Sequence, residues 1–149
     1  MRHYPRSFVG SIIACTVIGI SLFGVSTMAS AGEPRQCHYS TTTRHYGCNG
    51  TRGVTASGDI IGASLFTGQN FTGNELTIWV PRPCPKNNFV DYFVTLHASR
   101  KKVMSVQPWS TCWIWLYYKD GRPRSGPYED NTPDLGSYND NEAVMVGLS

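Results

Sequence analysis

The sequence predicts an all-β domain, a sandwich or barrel of short strands, behind a secretion signal. Three observations support this prediction: short apolar runs separated by turn residues, the lack of sustained helical periodicity, and an N-terminal segment built like a signal peptide. Alternating apolar and polar residues place every second side chain on one face of a strand. Many short runs of this kind are typical of sandwiches and barrels.

The first 31 residues have the three parts of a secretory signal. Arg2 and Arg6 charge the start, an apolar run covers residues 8–25, and residues 29–31, Ala-Ser-Ala, form a cleavage pattern. A membrane anchor is the alternative for an apolar run of this length, but glycines and serines dilute the run. We therefore expect cleavage and secretion, with no membrane attachment afterwards.

Removal of residues 1–31 leaves about 117 residues, the size of one domain. The removed segment holds two of the thirteen basic residues and none of the ten acidic ones, so eleven basic residues remain against ten acidic ones. A charge this balanced excludes the electrostatic footprint of a nucleic-acid-binding protein. We therefore expect no nucleic-acid partner.

Four cysteines remain once Cys15 leaves with the signal, and an even number in a small exported chain predicts disulfide bonds. Four cysteines allow three connectivities, and the sequence leaves all three open. Proximity along the chain favours two pairs, Cys37 with Cys48 and Cys84 with Cys112.

Residues 33–59 are polar and rich in threonine and glycine, with their two cysteines as the obvious anchors. We predict that they form an N-terminal appendage, a disulfide-stapled hairpin, outside a main domain of residues 60–149. A zinc site formed by the same two cysteines with His38 and His45 is the alternative. An oxidising compartment favours the disulfide.

The apolar positions of residues 60–149 mark the strands of the main domain. Leu76, Ile78 and Val80 alternate, and the later positions are Val90, Phe93, Val94, Leu96, Val103, Val106, Ile114, Leu116, Val144, Val146 and Leu148. A weak internal repeat accompanies them, because Val-Met occurs at 103–104 and again at 144–145 in corresponding places. Two four-stranded units fit the two halves.

Phe66, Phe71 and Gly73 follow the spacing aromatic, four residues, aromatic, one residue, glycine. In that pattern the rings pack across a folded hairpin, and the glycine adopts a positive φ that a Cβ would oppose. With residues 134–140 before the last strand, this pattern resembles the βγ-crystallin family over residues 60–149. The resemblance implies a βγ-crystallin-like double Greek-key β-sandwich, here with the N-terminal appendage added.

Calcium is also implied by the resemblance, because many microbial members bind it through loops that supply oxygen ligands. The second loop here contains Asn139, Asp140 and Glu142, but Ala143 stands where a hydroxyl ligand belongs. The first loop, residues 100–102, is Arg-Lys-Lys, and these cations oppose a bound cation. We therefore expect no cofactor, with a calcium-binding crystallin module as an alternative.

A proline-rich loop is the first candidate binding segment. Arg82, Pro83, Pro85 and Lys86 surround Cys84, whose disulfide would hold the loop in place. An inhibitor presents such a loop to a protease, since a preorganised loop loses little entropy on binding. A plain connection between strands is the other interpretation.

An aromatic segment, residues 109–118, is the second candidate. On a strand, Trp113, Trp115 and Tyr117 project from one face and the aliphatic residues between them from the other. If the aliphatic face is the core, the rings form a platform for sugars or a protein partner. Packing of one ring set beneath the N-terminal appendage is the alternative.

No recognisable cluster of catalytic residues appears in the sequence. We predict a secreted, monomeric, non-enzymatic protein that presents loops or an aromatic face to an extracellular protein, such as a protease, or to a cell-wall glycan. The resembling bacterial proteins include metalloproteinase inhibitors and killer-toxin-like antimicrobial proteins, and the second activity is an alternative. A small secreted hydrolase is the rival from another class. Its candidate residues are His97 and the C-terminal acids Glu129, Asp130, Asp134, Asp140 and Glu142.

Overall fold

Nine strands in two sheets make up the computed structural model, which describes residues 33–97, 102–119, 121–136 and 142–149. The strands are β1 Gln36–Ser40, β2 Tyr46–Gly47, β3 Ile60–Phe66, β4 Glu75–Val80, β5 Tyr92–Thr95, β6 Ser105–Pro108, β7 Ile114–Tyr118, β8 Ser125–Tyr128 and β9 Ala143–Leu148. These described residues contain no helix, and hence none that is long and apolar enough to span a membrane. The all-β prediction is confirmed for them.

The first sheet has the order β2-β1-β4-β3-β6. β1 pairs with β2 in antiparallel fashion and with β4 in parallel, while β3 is antiparallel to both β4 and β6. Cys37 of β1 lies in the hydrophobic core and is bonded to Cys48, just after β2. β1 and β2 therefore form the disulfide-stapled hairpin that the sequence predicted, but this hairpin extends the first sheet instead of lying beside the domain as an appendage.

The second sheet has the order β5-β9-β7-β8, with antiparallel pairing throughout. The last strand of the chain, β9, lies between β5 and β7. Successive side chains of β7 and β9 point to opposite faces of the second sheet. On the face toward the first sheet, four side chains are fully buried in the core: Ile114, Leu116, Val146 and Leu148. The residues between them on β7 and β9 face away from the first sheet.

The two halves of the chain exchange segments between the sheets. β5 follows β4 along the chain but pairs with β9 in the second sheet. Conversely, Thr132, which follows β8, forms a bridge with Val106 of β6 in the first sheet, with backbone hydrogen bonds in both directions of 2.9 and 3.0 Å. Neither sheet is therefore built from one half alone.

One hydrophobic cluster joins the inner faces of both sheets. Ile78 and Val80 of the first sheet and Val94 of the second are among its fully or almost fully buried members. Burying an aliphatic side chain of this size stabilises a fold by about 1.5 to 3 kcal/mol. The two sheets therefore share a core, as the alternating apolar positions predict.

The hairpin between β3 and β4 has the ring contact that its aromatic pattern predicts. The rings of Phe66 and Phe71 pack edge to face with centroids 5.7 Å apart. Gly73 has a φ of 79°, and a Cβ there would lie 2.6 Å from Thr67 Oγ1. Phe71 itself has a φ of 60°, and its N–H donates to Ser105 Oγ at 3.0 Å. This bond helps to hold a backbone conformation that is unfavourable for an aromatic residue.

Asp59 lies in the connection between β2 and β3 and links this connection by hydrogen bonds to the end of β1. Its carboxylate accepts hydrogen bonds from Ser40 Oγ at 2.6 Å, Thr42 Oγ1 at 2.7 Å and the Ala56 N–H at 2.9 Å. Desolvation acts to raise the pKa of Asp59, but these hydrogen bonds outweigh it and hold that pKa below its usual value. The ionised carboxylate therefore stabilises this connection.

We expect Asp59→Ala to lower the free energy of unfolding at pH 7 by about 1 to 2 kcal/mol, because Ser40 is fully buried and loses its acceptor. The folded pKa lies below the unfolded value of about 3.9. The contribution of the carboxylate is therefore present above that pH and is lost as pH falls through the folded pKa. Urea denaturation at pH 7 and between pH 4 and 2 measures both effects.

Asp130→Ala is the matched control, because Asp130 is exposed and lies in another loop. The difference between wild type and Asp59→Ala should shrink as the pH falls from 4 to 2. A difference that stays constant over that range would contradict the role assigned to the carboxylate.

Candidate binding surface

Residues 81–89, called loop 81–89 below, form most of the connection between β4 of the first sheet and β5 of the second. Cys84 fixes the middle of the loop through its bond to Cys112. The Cys84 N–H donates to the Ser110 carbonyl at 3.2 Å, and Thr111 Oγ1 donates to the Cys84 carbonyl at 2.7 Å. Cys84 is buried and every other residue of the loop is exposed. The loop is thus anchored at Cys84, and the residues before and after Cys84 are exposed to solvent.

The second part of loop 81–89 presents a phenylalanine to solvent. Lys86 has a left-handed φ of 54°, which turns the chain after Pro85. Asn87 Oδ1 then accepts a hydrogen bond from the Phe89 N–H at 2.8 Å, an Asx turn. The side chain of Phe89 is 82% exposed. Local turn chemistry therefore places an apolar ring at the end of the loop.

The outer side of the second sheet carries a set of residues that we call the aromatic face: Phe93, Trp115, Tyr117 and Arg124. Phe93 of β5 and Tyr117 of β7 lie on either side of β9, with ring centroids 5.7 Å apart. Gly147 of β9 permits this contact, because a Cβ there would lie 3.1 Å from the Tyr117 ring. A side chain at residue 147 would have to displace the Tyr117 ring and also Val90, whose Cγ1 lies 2.8 Å from the same Cβ position.

Arg124 joins the aromatic face to loop 81–89. Its guanidinium carbon lies 3.7 Å from the ring centroid of Trp115, within the range of a cation–π contact. One terminal nitrogen donates to Tyr117 OH at 3.2 Å, and the other donates to the Asn88 carbonyl at 3.4 Å. The two segments that the sequence identified separately therefore form one surface.

Apolar exposure is concentrated around this surface. Four large hydrophobic side chains are exposed among the described residues. Three of these, Phe89, Phe93 and Trp109, belong to loop 81–89, to the strand that follows it, and to the turn before Cys112. Trp109 is 46% exposed and Phe93 is 53% exposed. Isolated exposed rings are common, but rings grouped around a fixed loop are typical of interaction sites.

No family model, curated protein or solved structure matches this chain. The assignment of the surface to binding therefore depends on its own residues.

Both disulfides favoured by proximity along the chain, Cys37–Cys48 and Cys84–Cys112, are present in the structure. The first bond removes the thiolates that the alternative zinc site requires.

The three predicted rings of the aromatic segment differ in exposure. Tyr117 is half-buried, whereas Trp115 is only 5% exposed because Arg124 covers it. Trp113 lies just before β7, where its N–H and carbonyl pair with the backbone of Ser149. The exposed part of the face is thus smaller than a three-ring platform, and Arg124 packs on Trp115.

The candidate calcium ligands are only partly described. Asn139 and Asp140 lie outside the described residues, as does most of the cationic run 100–102. Glu142 and Lys102 are described and exposed. Within the described ranges, no group of three or more His, Cys, Asp or Glu side chains is placed to hold a metal ion.

The rings of His97 and Tyr46 pack with centroids 5.5 Å apart. Of the C-terminal acids proposed for a hydrolase, Asp134 Oδ1 accepts the Gly136 N–H at 2.8 Å, and Glu129, Asp130 and Glu142 are exposed. Asp140 lies outside the described residues. The four described acids lie outside the strands, in loops or next to a strand end.

Arg124 and Phe89 were not among the residues that the sequence predicted for binding, and Trp109 was part of the aromatic segment but not one of its three predicted binding rings. Phe89 follows Asn87 and Asn88, and this asparagine pair was an available turn signal. Arg124 lies 36 residues from Asn88, so its contact with the loop depends on tertiary structure.

Proposed function

We propose that this chain is a secreted, non-enzymatic, βγ-crystallin-like protein that binds an extracellular protein through loop 81–89. The strand order supports a double Greek key, in which the fourth strand of each motif returns to lie beside the first. β6 lies beside β3, and β9 lies beside β7. The third segment of each half joins the opposite sheet. Two disulfides are compatible with an extracellular location.

The connection made by Arg124 is the observation that carries the binding proposal. Loop 81–89 is fixed at Cys84 by a covalent bond and at Asn88 by the guanidinium of Arg124. A loop fixed at two points loses little conformational entropy when it binds. Exposed Phe89 supplies the kind of apolar anchor that dominates many interfaces.

A protease is the partner that this loop fits best. Protease clefts bind inhibitor segments in an extended conformation, and the prolines at 83 and 85 restrict φ in such a segment. Because the left-handed φ of Lys86 turns the chain, residues 82–85 are the segment that would enter the cleft. Lys86 and Phe89 would then contact the protease beside the cleft, with Phe89 as the apolar anchor. Arg82 is exposed and is the first residue of that segment, so its cation would enter the cleft with it.

Inhibition assays test the proposal directly. We expect the purified protein to inhibit at least one of three probes, thermolysin, subtilisin and trypsin, at micromolar concentration or below. Phe89→Ala should weaken that inhibition about 10- to 30-fold, since the loss of an apolar anchor costs about 1.4 to 2 kcal/mol. The inhibition constant measured by competition with a fluorogenic substrate gives the result.

Arg52→Ala is the matched control, because Arg52 is an exposed residue of the connection between β2 and β3. Its inhibition constant should stay within twofold of wild type. Failure to inhibit or bind any of the three proteases would end the inhibitor proposal. Inhibition that is unchanged in Phe89→Ala and in Arg82→Ala would show that another surface is used.

A further inference from the structure

A second surface with ligand-binding chemistry lies on the outer face of the first sheet. It is an open groove of about 1220 Å³, called the polar groove below. Its main lining side chains are Gln36, His38, Asn49, Phe71, Glu75 and Glu33. β1 and β4 run parallel here, with Gln36 opposite Glu75, and the Cys37–Cys48 bond holds Asn49 beside them. None of these residues belongs to loop 81–89 or to the aromatic face.

Glu75 is oriented by two buried hydroxyl groups. Ser64 Oγ and Thr77 Oγ1 each donate to Glu75 Oε1 at 3.1 Å, and both residues are only 5% exposed. Placing two hydroxyl groups behind a half-buried carboxylate fixes its direction before any ligand arrives. Such preorganisation is the property that strengthens a polar contact in a binding site.

His38 is oriented in the same groove by a tryptophan. Trp79 Nε1 donates to His38 Nδ1 at 3.4 Å, and the two rings are tilted with centroids 6.2 Å apart. A neutral imidazole that accepts at Nδ1 carries its hydrogen on Nε2. Desolvation, opposed by the charge of Glu75, lowers the pKa of His38, so the ring is neutral at pH 7. His38 thus offers a hydrogen-bond donor near the carboxylate acceptor of Glu75.

Phe71 adds a fixed apolar ring to these polar groups. Its N–H bond to Ser105 Oγ and its edge-to-face contact with Phe66 hold the ring, while Ser105 Oγ donates in turn to the Gly68 carbonyl at 2.7 Å. The side chain is half-buried and lines the groove. An immobile ring beside donors and acceptors matches the alternation of C–H faces and hydroxyl groups on a sugar.

We infer that the polar groove binds a neutral oligosaccharide. The amides of Gln36 and Asn49, the imidazole of His38 and the carboxylate of Glu75 together supply donors and acceptors for hydroxyl groups. Glu33 and Glu75 outnumber the one cation of the lining, Arg35, which disfavours phosphate or sulfate groups. The volume exceeds the range of about 300 to 1,000 Å³ for small-molecule pockets, so several sugar units fit.

Calorimetric titration with four probes tests the inference: cellohexaose, laminarihexaose, chitohexaose and, as an anionic control, mannose 6-phosphate. At least one neutral hexaose should bind with a dissociation constant of 1 mM or lower, and the anionic probe should not. Glu75→Gln keeps acceptors for Ser64 and Thr77 but removes the charge, and Gln36→Ala changes an exposed residue. Each should weaken binding at least fivefold, and His38→Ala at least tenfold.

Lys86→Ala and Tyr117→Ala serve as controls, because both residues lie on the other surface. Near-ultraviolet circular dichroism checks that each variant is folded. The inference is overturned if no neutral hexaose binds at millimolar concentration, or if binding survives in folded His38→Ala and Gln36→Ala. Loss of hexaose binding in Tyr117→Ala alone would place the sugar on the aromatic face and would equally overturn it.

Discussion

Replacing Cys84 and Cys112 together by alanine should lower the free energy of unfolding by about 3 to 4 kcal/mol. The bond spans a sequence separation of 28 and ties the segment after β4, in the first sheet, to the segment before β7, in the second. Its loss frees the unfolded chain and removes a covalent tie between the sheets. For a domain of this size the melting temperature should fall by about 10 to 20 °C. Differential scanning calorimetry measures both quantities.

The matched control removes the other disulfide with Cys37→Ala and Cys48→Ala. That bond closes a shorter loop, with a separation of 11, so its removal should cost about 1 kcal/mol less. The two variants should differ more in binding than in stability. At a temperature where both are folded, only the loss of Cys84–Cys112 should weaken protease inhibition, because only that bond fixes loop 81–89. Equal inhibition by both variants would contradict this role.

Ile114→Ala should lower the free energy of unfolding by about 2 to 5 kcal/mol. Ile114 is fully buried in β7, where it lies between Tyr128 of β8 and Leu148 of β9. Alanine at this position leaves a cavity between the two sheets that the paired strands are unable to close. The midpoint of urea denaturation should fall while the slope with denaturant stays the same.

Two substitutions bracket the effect of Ile114→Ala. Ile114→Val removes one methylene group and should cost about 0.5 to 1.5 kcal/mol. Phe89→Ala removes a larger but 82% exposed side chain and should change stability by no more than about 0.5 kcal/mol. If Phe89→Ala proved as destabilising as Ile114→Ala, the ring would be part of the core rather than a binding residue.

Strands with apolar alternation were predictable because each contributes several side chains to the core. β4 and β9 have this pattern, with Ile78 and Val146 among their fully buried residues. The place of β1 in the first sheet was not predicted, because its sequence is Gln-Cys-His-Tyr-Ser, in which only Cys37 and Tyr39 join or pack against the core. The parallel pairing with β4 depends on backbone hydrogen bonds, which leave no signal in the side chains.

The candidate surface was predictable in its parts but not in its assembly. Proline restriction and a nearby cysteine identified the loop around Cys84, and aromatic alternation identified Trp115 and Tyr117 as outward-facing. The loop and the aromatic face are connected by Arg124, which contacts Asn88 and Tyr117. Asn88 lies 36 residues from Arg124, and no pattern in a single sequence predicts such a contact. The same reasoning explains why the polar groove was not predicted: Ser64, Thr77 and Glu75 meet only when β3 and β4 pair.

The exchange of segments between the sheets sets an order of events during synthesis. β5 has its pairing partner in β9, the last strand to be made, and β6 receives its bridge from residue 132, after β8. Until those residues emerge, the first half of the chain has nothing against which to close the shared core. Long-range pairings of this kind slow folding, because the loops must close before the contacts form. A chain that completes its fold only after its last strand is made stays unfolded for longer, and an unfolded chain is what the export that we propose would require.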